Sequence, residues 1–258
     1  MTTAPTTYAI RVEGHLDDHW SAWLGGLDIT RHDDGATTVT VPAADQAQLH
    51  GVLAGLRDIG VVISGLRTQD VCRPALEGPL HTRRLILRAA AADDADGTWS
   101  YRRLETVNEW LTGSPADLAG YRTVFSEPAR LATTVIVALG DTIIGDLMLR
   151  REDAWSQREV SSRARGRQAE LGWVIDPAHT GQGYATEAVR ELLRHCLGDL
   201  GLHRITANCL RGNDTSWRLM ERVGMRREHH AVRESLHRSG HWLDTVGYAM
   251  FKDEWRPA

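Results

Sequence analysis

Residues 177–188 hold the densest chemistry in the chain. Gly181 and Gly183 stand two apart, Thr180 and Gln182 alternate with them, and Tyr184, Ala185, Thr186 and Glu187 follow. An apolar run, 171–175, enters this segment, and an amphipathic stretch, 189–197, leaves it. A strand, a glycine-bearing turn and a helix start together make an anion-binding device. The first N–H groups of a helix lack intrahelical partners, and the helix dipole adds positive potential there. The glycines let the backbone bend and come close to a phosphate. No lysine follows them, and Glu187 and Ala188 stand where a dinucleotide fingerprint needs its third glycine. Both the nucleoside-triphosphatase loop and the dinucleotide fold are thereby excluded. Just upstream, Glu170 is the one carboxylate on the entering strand before its terminal Asp176. Strand alternation puts it on one face with Gly172 and Val174. There it is either a proton acceptor or a strand-edge charge, paired with an arginine.

Other segments fall into order around this one. Residues 83–88 set a Leu-Ile-Leu run between arginines, and Asp93 and Asp94 follow where a first helix needs a cap. Residues 203–208 read as a strand ending in Asn208. Asn213 then opens, and Gly224 closes, a helical pattern that contains Ser216 and Met220.

This ordered set resembles the GCN5-related N-acetyltransferases, and the run from Gly181 through Ala188 resembles the RimJ/RimL branch. The resemblance covers about two-thirds of the chain, from near Thr82 to Trp255. It implies acetyl-CoA as the cofactor and a primary amine, on a protein N-terminus or a small molecule such as an antibiotic, as the acceptor. In the family, the loop at Thr180, Gly181, Gln182, Gly183, Tyr184, Ala185 and Thr186 cradles a pyrophosphate. Thr180 departs from the family's Gln or Arg, a mild change because backbone does most of the binding. The entering strand splays from its neighbour in this family. Backbone at Val174 and Ile175, with Asn208 and Asn213, then holds the pantetheine arm. Acyl transfer to an amine needs a proton acceptor, stabilisation of developing charge, and a proton donor for the departing thiolate. Glu170 is the expected base, acting through water. Many relatives use a tyrosine as acid where this chain has Met220, so Ser216 is the expected donor, with Tyr248 in reserve on a strand expected to border the acceptor cleft. A non-catalytic acyl-CoA sensor, with the front domain as its output, is the competing reading.

Composition sets the outer bounds. The chain has 258 residues, 42% hydrophobic and 25% charged, with a net charge of −4. These values suit a globular protein and give no electrostatic case for a nucleic-acid partner. Three cysteines, Cys72, Cys196 and Cys209, are too few and too irregular for a disulfide framework or a zinc site, and Cys196 and Cys209 read as core thiols. The twelve histidines match no metal-binding spacing, so no metal is expected. No apolar run reaches membrane-spanning length and no signal segment opens the chain, so a cytoplasmic location is expected, with no membrane partner. A homodimer is compatible with the sequence.

The first 70 residues read as a separate unit. Strands near 8–12, 28–32, 36–41 and 61–66 alternate with helical patterns at 17–24 and 44–57, and Asp33, Asp34 and Gly35 mark a hairpin. The order βαββαβ predicts a small ferredoxin-like sandwich. Trp20 and Trp23 are expected on the core face of its first helix. Residues 71–80 are expected to be a linker, and 81–258 the acetyltransferase-like domain. There, strands over 131–139 and 142–149 are expected to flank Gly140 and Asp141. A polar insertion with six arginines follows over 150–168, and strands over 227–236 and 242–251 close the chain. The whole is an α+β protein, its larger domain a mixed, mostly antiparallel sheet flanked by helices.

Overall fold

The computed structural model describes residues 6–32, 34–43, 46–69 and 74–256. The chain divides into two compact units, Met1–Arg73 and Pro74–Ala258. Cys72 and much of the expected linker lie outside the described residues. Of the described residues in that span, Leu76 is buried in the core of the second unit, whereas Pro74, Glu77, Gly78 and Pro79 are exposed.

In the first unit the elements are β1 (Thr6–Glu13), α1 (Asp18–Trp23), β2 (Asp28–Arg31), β3 (Ala36–Ala43), α2 (Gln46–Asp58) and β4 (Ile63–Gln69). All pairings are antiparallel and the strand order is β2-β3-β1-β4, the ferredoxin-like arrangement. Every second residue of β1 and β3 turns inward, so Ile10, Val12, Val39 and Val41 pack with Leu49 and Leu56 of α2. Gly35 closes the β2–β3 turn at φ +82°. Trp20 packs against this core, but Trp23 does not join it and is 57% exposed. A six-residue helix has too few turns to bury both rings.

The second unit begins with β5 (Leu80–His81), β6 (Ile86–Ala89), α3 (Ala95–Arg102), α4 (Glu105–Asn108), α5 (Leu118–Phe125) and α6 (Pro128–Thr133). It continues with β7 (Thr134–Leu139), β8 (Thr142–Glu152), α7 (Ser161–Ala164), β9 (Gln168–Ile175) and α8 (Tyr184–Arg194). It ends with β10 (Arg204–Leu210), α9 (Asp214–Arg222), β11 (Arg226–Leu236) and β12 (Trp242–Phe251). The eight strands order as β11-β12-β10-β9-β8-β7-β6-β5, and only β9 and β10 run parallel. One sheet face packs on α8 and α9 through Leu147, Leu149, Leu171, Ile205, Ala207 and Tyr248. The other carries Ile136 against Ala95 of α3 and Tyr121 and Phe125 of α5.

Local chemistry explains where these bounds differ from expectation. Pro128 at the first helical position starts α6, so the strand expected from Leu131 begins only at Thr134. The polar insertion is shorter than expected, because β8 runs on to Glu152 and a helical turn, α7, fills part of it. Asp94 caps the short helical turn Ala92–Asp94 that precedes α3, accepting from the Ala91 N–H at 2.8 Å, and it also pairs with Arg88. Cys196 is fully buried and its thiol is pushed up to about 12 by burial, which leaves it unreactive at neutral pH.

Candidate active site

The sheet opens in its middle. β9 and β10 pair over three positions, Gln168–Glu170 against Arg204–Thr206, and pair no further. β9 stays bonded to β8 through Ile175, and β10 to β12 through Leu210. Alternate N–H and C=O groups of 171–175 therefore turn toward a gap rather than a strand. On the other side of β9, Gly145 allows close approach: a Cβ there would lie 2.5 Å from the Val174 carbonyl oxygen.

β9 leads into the glycine loop. Asp176 receives the Ala178 N–H at 2.9 Å and turns the chain. Gly181 and Gly183 then adopt φ of +75° and +81°, a region L side chains avoid. Gly183 stands at the N-cap of α8 and no side chain caps that end, so the first N–H groups stay available to a ligand. The loop is braced from β5 and β6. Glu187 accepts from Thr82 Oγ1 at 2.6 Å, from the Arg84 N–H at 2.9 Å and from Arg84 Nε at 2.7 Å. Burial alone would raise this carboxyl, but these bonds outweigh it and hold Glu187 below the usual carboxylate range. Arg84 also donates to the Gln182 carbonyl at 3.1 Å and lies over the Tyr184 ring at 4.4 Å.

A cavity of about 370 Å³ opens over this loop, with Ile175, Thr180, Gly181, Gly183, Tyr184, Ala185, Thr186, Thr215 and Arg222 in its lining. His179 also faces it; its buried Nδ1 has no hydrogen-bond partner among the described residues and lies 3.7 Å from the Asp176 carboxylate. Among the described residues Arg222 has no ion pair, and its Nη1 reaches the Thr186 hydroxyl at 3.5 Å. Free helix N–H groups, two left-handed glycines and a guanidinium without a carboxylate partner among the described residues form a fitting cradle for the pyrophosphate of a coenzyme A.

A second cavity, of about 350 Å³, lies on the opposite sheet face. Met148, Gly172 and Val174 contribute from the strands, and Trp110, Leu111, Pro115, Tyr121, Val124 and Phe125 form much of its wall. Below it, Asp146 is 3% exposed within β8. It accepts from the Tyr101 hydroxyl at 2.9 Å and pairs with Arg102 through Nε, at 3.0 Å, and Nη2. Burial would lower the Arg102 guanidinium, but the Asp146 carboxylate reverses this and holds it above its ordinary value. The tip of the β11–β12 hairpin pins the wall: His237 Nε2 donates to the Glu109 carbonyl at 3.0 Å and Arg238 to that of Leu111 at 2.6 Å.

The expected site residues divide between the two faces. Glu170 shares its face with Gly172 and Val174 through its pairing with Arg150, but it lines neither cavity. Its carboxylate is ion-paired to Arg150 and accepts from Asn208 Nδ2 at 3.1 Å. Asn213 caps α9 by accepting from the Ser216 N–H at 3.1 Å. Ser216 lies near the Cys209 thiol, which burial pushes up. Tyr248, expected beside the acceptor cleft, lines neither cavity. It faces α9, is 2% exposed, donates to Glu221 at 2.9 Å and accepts from Arg227 Nε at 3.1 Å. Its parity along β12, opposite Ala207, fixes that orientation. Met220 is buried in the same core. The sequence reading passed over Arg84, Arg102, Arg130, Asp146 and Arg222. Asp146 did leave a signal, as a lone carboxylate inside the apolar run of β8.

Comparison with known proteins agrees with this arrangement. A family model described as an acetyltransferase (GNAT) domain matches residues 84–226. A second, described as a domain of unknown function, matches residues 7–67. The uncharacterized N-acetyltransferase YnaD of Bacillus subtilis is 37% identical over 86 residues, 33% of this chain and 50% of that protein. The ribosomal protein uS5-alanine N-acetyltransferase of Escherichia coli is 32% identical over 87 residues, 34% of this chain and 44% of that protein. The chain thus spans about half the length of such curated relatives, although one from Bacillus licheniformis, the N-acetyltransferase p20, aligns at 26% identity over 97% of its length and 68% of this chain. Among solved structures, Mycobacterium smegmatis RimJ in complex with CoA-disulfide superimposes with a TM-score of 0.57 at 25% identity, covering 72% of this chain and 93% of that one. With its family model matched across the opened sheet, the glycine loop and α9, the chain belongs to the GNAT acetyltransferase family.

Proposed function

We propose that this protein is an acetyl-CoA-dependent N-acetyltransferase whose acceptor is a primary amine. One observation carries the reading. Val174 lines one cavity and Ile175, the next residue, lines the other, so the unpaired end of β9 lies between the loop pocket and the apolar pocket. Transfer between two bound substrates needs two pockets that meet, and holding both together supplies much of the acceleration. When bound, acetyl-CoA supplies the acyl thioester. The loop N–H groups and Arg222 hold its phosphates, and backbone N–H groups of β9 in the gap orient the acyl end and stabilise developing negative charge. Glu170 takes the proton of the amine through water, along the face of Gly172 and Val174. Ser216 donates toward the thiol.

Thiol release against a panel of amines and short peptides tests this reading, with calorimetry reporting acetyl-CoA binding. The tie between Glu170 and Arg150 is the observation that suits a non-catalytic acyl-CoA sensor, and binding without turnover of any amine would establish that alternative.

Two further outcomes follow from the geometry. Gly183→Val forces a β-branched side chain to φ +81° at the mouth of the loop. Calorimetry should show acetyl-CoA affinity reduced about tenfold or more, equivalent to about 1.4 kcal/mol. Unchanged affinity in a folded variant would remove the loop from the site. Replacing both His237 and Arg238 with alanine releases the carbonyls of Glu109 and Leu111. The KM for the amine should rise by about tenfold, as expected for two lost hydrogen bonds of about 0.5–1.5 kcal/mol each. Acetyl-CoA affinity should stay unchanged, and a parallel loss of both would show that the hairpin tip supports the whole fold instead.

A further inference from the structure

The apolar cavity carries one unbalanced charge. Its ionisable lining includes Arg102, Asp146 and Arg130. Arg102 and Asp146 neutralise each other through a buried pair. Arg130, on α6, has no carboxylate partner among the described residues, and its charge acts on the buried Tyr121 hydroxyl. Trp110, Leu111 and Phe125 line the same space. A guanidinium against an apolar wall is only partly hydrated, so an anion that reaches it gains more than it would in open water. A polycationic acceptor meets net repulsion in this pocket, whereas a molecule that brings its own anion is matched. At about 350 Å³ the cavity lies near the lower end of small-molecule sites.

We propose that the acceptor is a small amino acid: a primary amine, an apolar or aromatic body that fills the pocket, and a carboxylate bound by Arg130. This rests on the acetyl-transfer reading and narrows it. The amine reaches the strand gap at Gly172 and Val174, while the carboxylate stays at the α6 wall. Arg130 therefore selects the acceptor and takes no part in proton transfer.

The test compares kcat/KM, by thiol release, for two pairs of amines that differ by one carboxylate. These are L-phenylalanine against phenethylamine and para-(aminomethyl)benzoate against benzylamine, with rates expressed per unprotonated amine. The native protein should prefer the acid in at least one pair by about tenfold or more. Arg130→Met should erase that preference by slowing the acids while leaving the plain amines within about twofold. Arg130→Lys should keep most of it. Equal rates within both pairs, or an equal loss for acid and plain amine in Arg130→Met, would overturn the proposal. Peptides beginning with alanine or serine run alongside. Turnover of the peptides but not of the acids also overturns it, and leaves acetyl transfer standing. If no amine of any kind is turned over while acetyl-CoA still binds, acetyl transfer itself falls and this proposal falls with it.

Discussion

Glu170→Gln is expected to lower kcat by about 10²–10⁴-fold, the range for loss of a general base. The amide keeps the shape of the carboxylate and can still accept from Asn208 or Arg150, but it cannot hold the proton of the amine. Acetyl-CoA affinity should change little, because Glu170 lies outside the phosphate cavity. Raising the pH should partly rescue the variant, since the free amine then forms without help. Stability should hardly respond. The Arg150 side chain is 51% exposed, and pairs of that kind contribute about 0–1 kcal/mol. A folded variant with near-normal kcat at neutral pH would falsify the base assignment and leave Glu170 as a strand-edge partner of Arg150.

Asp146→Ala should lower the unfolding free energy of the second unit by about 3–5 kcal/mol, the usual consequence of stranding a buried charge. The Arg102 and Asp146 side chains are 13% and 4% exposed, so water replaces little of what is lost. The Tyr101 hydroxyl, which burial first and then Asp146 hold far above its ordinary range, would also lose its acceptor. Denaturant titration followed by a signal from the second unit measures this. Adding Arg102→Met should recover part of the loss, because an apolar replacement leaves no orphan charge. If the two changes are simply additive, the pair is not coupled as its geometry implies.

The two kinds of feature differ in how far sequence reaches them. The glycine loop was legible because anion binding at a helix start needs contiguous residues of fixed type, and Gly181 and Gly183 have few other uses at that spacing. The order of the first unit was legible because alternation and a hairpin turn are local signals. The ties that position the loop were not, since Arg84 and Glu187 lie 103 residues apart. The Arg102–Asp146 pair spans 44 residues; Asp146 stands out as a lone carboxylate in an apolar strand, but nothing local names Arg102 as its partner. Tyr248 shows the limit of strand parity. Alternation gives two faces, but only the packing of α8 and α9 decides which face meets the acceptor.

The interrupted pairing of β9 and β10 also bears on how the larger unit protects itself. An exposed strand edge invites another chain to add to it, and proteins usually blunt such edges at the rim of a sheet. Here the edge lies between β9 and β10, which stay joined over Gln168–Glu170 and Arg204–Thr206, so it is not a free rim of the sheet. The unit therefore keeps a row of unpaired backbone groups without the aggregation hazard that such a row brings elsewhere. Under the proposed reading, the pantetheine arm is in effect the missing strand. Its amides would offer donors and acceptors to the groups of 171–175 that meet no strand, so occupancy would couple substrate binding to the local opening of that segment.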